Sequence, residues 1–232
     1  MNVITPPKPE RLTPDGEQSE PHIPSWQKDS IARSLRSARA RAQERSDRFV
    51  AAAIDLLNER DESDFTIQDV VDRSEMSLGT FYAYFDGKDS LLLAVYETVL
   101  RRTAMPLLRE RCDRETDPGL RIKALMYGMV ELASVPGRLS RALSIFHLRL
   151  AETRPSELKY ALEPLRSFIV ELLSQGAAAG RLRDDVGLET QAALLQELLL
   201  STTHSTVLAG SPSTSADDLW TFWSAAILQG AR

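Results

Sequence analysis

Hydroxyl, phenol and ammonium groups crowd one short stretch of this chain, Ser77-Leu78-Gly79-Thr80-Phe81-Tyr82-Ala83-Tyr84-Phe85-Asp86-Gly87-Lys88. Such groups donate hydrogen bonds to anionic oxygens and base edges. Gly79 lacks a side chain and allows a close approach, so Thr80 beside it can reach a base edge or a phosphate. Nothing elsewhere pairs a nucleophile with a base, sets two carboxylates together or builds a glycine-rich phosphate loop, so no catalytic residues are expected and the chain does not read as an enzyme. Cys112 is the single cysteine, and His22, His147 and His204 have no partners at ligand spacing, so neither metal nor cofactor is expected.

The elements that position these donors can be read locally. Thr66 is a good N-cap, with Asp69 three residues on as an acidic near-equivalent of the capping-box Glu, and Ile67, Val70 and Val71 form one apolar face. The pattern breaks near Ser74–Ser77, where Ser77 caps a second helix carrying Leu78, Phe81, Tyr82 and Phe85 at i, i+3, i+4 and i+7. Two short helices around a tight turn make a helix-turn-helix, whose second helix lies in the DNA major groove. Phe81 and Phe85 read as core. Phosphate contacts position a protein without reading sequence, so the operator is not legible here.

Ser77 to Leu91 resembles the S-x-G-T-x-Y-x-(H/Y)-F-x-(S/N)-K-(E/D)-x-L signature of the TetR family of bacterial transcription regulators. The resemblance implies that Thr66, Tyr82, Tyr84 and Lys88 contact backbone phosphates and that Leu78 or Ala83 touches a thymine methyl. It also implies that the helix beginning near Ser90 joins the DNA-binding part to the rest and transmits a ligand signal by its tilt. Three positions depart from the common pattern: Glu75 stands where the turn usually has Gly, Tyr84 replaces His, and Gly87 replaces a Ser or Asn cap. A positive φ at Glu75 would carry strain.

The chain has 232 residues, 43% of them hydrophobic, and a net charge of −5. It can bury a substantial core in one or two domains, and no run approaches the ~20 apolar residues of a membrane span. With no signal-peptide pattern at the N-terminus, a cytoplasmic location is expected. Residues 1–29 hold six of twelve prolines and read as a disordered tail. Between Lys28 and Arg48, seven basic residues face three acidic ones in an otherwise acidic chain. Arg36, Arg39 and Arg41 are therefore candidates for an arm or helix start directed at phosphate or the minor groove. The first helix is expected from about Ala40 to Arg60.

The expected fold is all-α: an N-terminal three-helix helix-turn-helix DNA-binding domain over 30–103, and a C-terminal helical ligand-binding and dimerisation domain over 104–232. The connecting helix is expected to end about Arg102, before Pro106. Helices then follow from Pro118-Gly119, from Pro136-Gly137 and from Pro155, with a bend at Pro164, and Leu188–Leu208 and Ser215–Gln229 close the chain. Met126, Met129, Leu143, Phe146, His147 and Phe168 suit an apolar effector pocket, although such stripes are also ordinary core. Arg138, Arg141 and Arg149 could attract an anionic head group. Leu195, Leu198, Leu199, Thr202, Trp220, Trp223 and Ile227 are candidates for a homodimeric four-helix interface. The composite expectation is a regulator, a repressor released from a palindromic operator on double-stranded DNA by a small, largely apolar effector. The alternative is a helical interaction protein with lost or reduced DNA binding.

Overall fold

The computed structural model describes residues 24–60, 64–135, 137–210 and 214–228. Among these residues ten α-helices follow in order: α1 Ser25–Glu59, α2 Ile67–Ser74, α3 Leu78–Tyr82, α4 Lys88–Val99, α5 Met105–Asp113, α6 Pro118–Ser134, α7 Arg138–Thr153, α8 Pro155–Ala178, α9 Leu188–Ala209 and α10 Ala216–Ile227. Among the described residues β pairing is confined to an isolated antiparallel bridge, Leu182–Leu228. The all-α expectation holds. The described residues divide into two units, one ending at Glu44 and the other beginning at Arg45.

The N-terminal unit contributes the first part of α1, which starts at Ser25 rather than near Ala40. Alanine and arginine are strong helix formers, and the run from Ile31 to Gln43 contains no glycine or proline to stop propagation. Helix therefore takes in the last residues of the expected tail. The tail proper, residues 1–23, lies outside the described residues, as does Gln229 of the last expected helix.

Within the larger unit, local capping chemistry sets several helix starts. Asp117 Oδ1 accepts from the amides of Gly119 and Leu120, at 2.8 and 3.1 Å, with Pro118 in the first turn. Ser215 caps α10 through the Asp218 amide at 3.1 Å. Gly210, at φ 75°, ends α9 in the left-handed conformation that a side chain would oppose.

The connecting helix does not stop at Arg102. It passes through a π-helical turn, Leu100–Ala104, into α5, with the Met105 amide donating to Leu100 O. The wider turn displaces the carbonyls that the Pro106 ring would otherwise meet, so proline sits in the first turn of α5 without ending the rod. The expected boundary at 103 consequently falls inside continuous helix. Pro164 is likewise carried inside α8.

Two hydrophobic clusters fill this unit. One joins Phe49, Phe81, Phe85 and Leu91 to Leu143, Phe146 and Leu150 of α7 and Leu158 and Leu162 of α8. The other packs α5, α6 and α8 against Ala192, Leu195 and Leu199 of α9 and Leu219, Trp223 and Ile227 of α10. The helix-turn-helix thus shares its core with the helices behind it, which gives a shift in α7 or α8 a direct mechanical path to it.

Candidate DNA interface and ligand cavity

The helix-turn-helix is held from both ends of α2. Thr66 and Asp69 form a reciprocal capping box: the Asp69 amide donates to Thr66 Oγ1 at 3.2 Å, and the Thr66 amide to Asp69 Oδ2 at 2.6 Å. The Thr66 hydroxyl lies 2.7 Å from the same carboxylate, and these Thr66 donors hold the Asp69 carboxyl below its usual range. The hydroxyl expected to meet phosphate is therefore already directed at Asp69. At the other end, Arg73 grips Glu59 of α1 through two 2.8 Å hydrogen bonds.

The turn carries the strain anticipated at Glu75, which lies at φ 56°, ψ 36°. A left-handed non-glycine residue costs about 1–2 kcal/mol. The Glu75–Arg48 ion pair, 3.8 Å apart between exposed side chains, offsets little of that. Glu75→Gly is expected to stabilise the protein by about 0.5–1 kcal/mol after glycine's own entropic cost. A urea midpoint at or below wild type would contradict this.

Ser77 opens α3, its Oγ accepting from the Thr80 amide at 3.1 Å and lying 2.8 Å from Thr80 Oγ1. Two hydroxyl protons serve that single hydroxyl–hydroxyl contact, so one of them remains available to donate outward. Leu78 is 43% exposed and Tyr82 55% exposed, although the Tyr82 ring meets Phe81 edge-on. A side chain added at Gly79 would approach only Ser77 Oγ, at 4.0 Å. No internal packing requires glycine there. Beneath this face Phe81 and Phe85 are buried, as expected, with Phe81 meeting Phe49 edge-on at 5.5 Å.

Behind α4 lies an apolar cavity of about 210 Å³, lined by Tyr96, Val99 and Leu100, by Met129, Leu139, Leu143 and Ser144, and by Leu200 and His204 among others. The Tyr96 hydroxyl is 2.8 Å from His147 Nδ1, and the His147 ring is 4.2 Å from that of His204. Burial, reinforced by His204, lowers His147 to about 4, and burial lowers His204 as well. Burial also raises the Tyr96 phenol. The trio is therefore uncharged at neutral pH. Cys112 is buried, and desolvation pushes its thiol up to about 11, which suits an inert core residue.

Residues 49–95 match the family model for bacterial regulatory proteins of the tetR family. This segment therefore carries the DNA-binding part of tetR-family regulators. It is 29% identical over 123 residues to the HTH-type transcriptional regulator EthR of Mycobacterium tuberculosis, a match covering 50% of this chain and 57% of that protein. The chain thus spans a little over half the length of the curated relatives it matches. A TetR transcription regulator from Haloarcula marismortui superposes with a TM-score of 0.65 at 21% identity, over 81% of this chain and 100% of that one. FadR from Bacillus subtilis, solved with stearoyl-CoA, superposes with 0.60 at 12% identity, over 77% of this chain and 95% of that one.

Against this tetR-family frame the expected residues separate. Ser77, Leu78, Gly79 and Tyr82 are exposed and Thr80 is half-exposed on α3 and its cap, whereas Tyr84 is half-buried against the first cluster. Lys88 turns inward: its ammonium donates to Phe65 O at 2.7 Å and lies 3.9 Å over the Phe65 ring. An α4 start held this way fixes the angle at which α3 meets it. Arg36, Arg39 and Arg41 are exposed on the helix of the N-terminal unit.

Of the six pocket candidates, Met129 and Leu143 line the cavity. Met126, Phe146 and Phe168 do not, being buried in the two hydrophobic clusters, and His147 stands behind the wall as the partner of Tyr96. Tyr96 and His204 escaped the sequence reading because each sits singly in its own helix. Their only sequence signal is a polar atom on an otherwise apolar face. Arg149 pairs with Asp89 at 3.0 Å, while Arg138 and Arg141 flank an outer depression of about 430 Å³. Among the described residues no group of three His, Cys, Asp or Glu side chains could hold a metal, and no helix is long and apolar enough to cross a membrane.

The dimer candidates require a correction. Leu195, Leu199, Trp223 and Ile227 are buried within the chain's own second cluster, because α9 and α10 turn their most apolar faces onto α6 and α8. Leu198, Thr202 and Trp220 are half-exposed, and the outward positions are Leu194, 55% exposed, and Phe222, 72% exposed.

Proposed function

We propose that this tetR-family protein is a ligand-responsive transcription repressor that binds a palindromic operator as a homodimer and leaves it when a small, largely apolar effector fills the cavity beside Tyr96. The single observation that carries the DNA reading is the accessible face of α3. It presents Leu78, Tyr82 and the Ser77–Thr80 hydroxyl pair around a glycine that the fold itself does not need. Tyr82, Ser77 and Thr80 would supply phosphate or base contacts, Gly79 the close approach, and Leu78 or Ala83 a thymine-methyl contact. Arg36, Arg39 and Arg41 form a second candidate phosphate-binding segment. Lys88 and Tyr84 support α4 and the core, and any phosphate contact they make is secondary to that.

The effector reading rests on the cavity's position. Its wall includes Tyr96, Val99 and Leu100 of the rod that begins directly after α3, together with residues of α6, α7, α8 and α9. Occupancy can therefore bias the tilt of α4 between two states. FadR of Bacillus subtilis, which holds stearoyl-CoA, is a ligand-binding relative of the same fold.

The test is an electrophoretic mobility shift with the DNA upstream of the protein's own gene. Binding should weaken steeply with salt, and replacing Arg36, Arg39 and Arg41 by Gln should lower the salt slope by up to about 3. Thr80→Ala and Tyr82→Phe should each cost roughly tenfold in affinity. Gly79→Leu should leave the helix intact or firmer, since glycine disfavours helix by about 0.8–1 kcal/mol, yet block binding. Gly79→Leu protein that still binds at wild-type affinity, or no salt-sensitive shift on any fragment, would leave the interaction-protein reading instead.

A further inference from the structure

We infer that the effector is an uncharged molecule about the size of one ring with a short substituent, bearing a hydroxyl that seats against His204 and the Tyr96 phenol. This rests on the reading of the cavity as the effector site. Size comes first. An apolar protein cavity of ~150 Å³ holds one benzene, so about 210 Å³ seats a ring with a short extension.

Charge comes second. No Asp, Glu, Lys or Arg lines the cavity. A carboxylate placed there would be desolvated without a cationic partner, and the neutral imidazoles could not supply one. An anionic head would instead have to lie outside, in the depression lined by Arg138, Arg141 and Thr206, which adjoins the cavity through Ala133, Ser140 and Val207. Arg141 there already donates to Leu208 O at 3.0 Å.

The hydroxyl follows from the arrangement of polar atoms. His147 Nδ1 is engaged by Tyr96, and the His204 imidazole stands at the cavity wall with the His147 ring 4.2 Å away. A neutral imidazole carries one donor and one acceptor that a ligand in the cavity can engage. A ligand hydroxyl serves either. The Tyr96 oxygen, bonded once to His147, can take part in one further hydrogen bond. The head thus meets α9 through His204 and α4 through Tyr96, so a single small ligand bridges the helix that follows the DNA-binding face and the helix behind it.

The experiment compares para-ethylphenol with para-ethylbenzoate, which share the ethylphenyl body but carry a neutral and an anionic head at pH 7.5, by calorimetric titration of the full-length protein. Ethylbenzene serves as the headless control. The phenol should bind at least tenfold more tightly than the benzoate. His204→Phe, which keeps a ring at the wall but removes its polar atoms, should weaken the phenol about tenfold and leave ethylbenzene unchanged. Benzoate binding equal to or tighter than phenol binding overturns the assigned class while leaving the cavity as an effector site. If none of the three binds up to its solubility, both the class and the effector-site reading fall, with the DNA-binding test unaffected.

Discussion

Phe49→Ala is expected to cost about 3–5 kcal/mol of stability and to abolish DNA binding, although Phe49 is buried and is not itself a proposed DNA contact. Its ring is fully buried and stands edge-on to Phe81 at 5.5 Å and to Phe85 at 6.1 Å. Truncation removes the transfer free energy of the ring and leaves a cavity. It also forfeits two edge-to-face contacts, each worth about 0.5–1.5 kcal/mol beyond area burial. Phe81 and Phe85 are what fix α3 to the body, so loss of their partner loosens the face that carries Ser77, Thr80 and Tyr82. A domain of this kind has about 5–15 kcal/mol in total, so the loss is a large fraction of it. The checks are urea unfolding followed by circular dichroism and a mobility shift at 25 °C. A variant within about 1 kcal/mol of wild type and with full affinity would mean that α3 is oriented by other contacts.

The DNA-binding part is legible in the sequence because its signals are local. The Thr66–Asp69 box, the Ser77 cap and the i, i+4 spacing of Phe81 and Phe85 each involve residues within four positions, and all appear as read. Glu75 was legible too, since the turn geometry demands a left-handed residue whatever occupies it. Lys88 was not. Its inward turn depends on Phe65, distant by twenty-three residues, whose carbonyl and ring happen to lie within reach. Pro106 misled for a related reason: proline argues for a stop, and only the π-turn at Leu100–Ala104, a property of the folded rod, accommodates it.

The cavity was only half legible. Apolar spacing marks Met129 and Phe146 alike, yet one lines the cavity and the other is core, because helix-crossing geometry decides which side chains meet a neighbour and which border a gap. Periodicity identifies a buried face without saying what buries it. The same ambiguity governs α9 and α10, where the most apolar stripe proved to face the chain's own core.

That correction changes how the homodimer must be tested. Removing everything after Val186 would strip Leu195, Leu199, Trp223 and Ile227 from the second cluster, so an insoluble product is expected whatever the oligomeric state. The diagnostic change is on the outward face. There α9 presents Leu194 and Leu198, and α10 presents Phe222 with Ala225 and Ala226 beside it. Phe222 at 72% exposure, on a face with few charges, is a large apolar side chain without internal use, the kind of residue that anchors an interface. The double variant Leu194→Glu, Phe222→Glu would place four like charges at a symmetric contact, two from each copy. Dimer affinity is expected to fall at least ~100-fold, about 2.7 kcal/mol, with the helical signal of each chain retained. Light scattering across a dilution series reads the first and circular dichroism the second. On the proposed palindromic operator two copies would bind at once, so affinity for it should collapse with the dimer, while weak binding to a single half-site persists. A variant that stays dimeric at low protein concentration and holds the operator as wild type does would place the interface on another face.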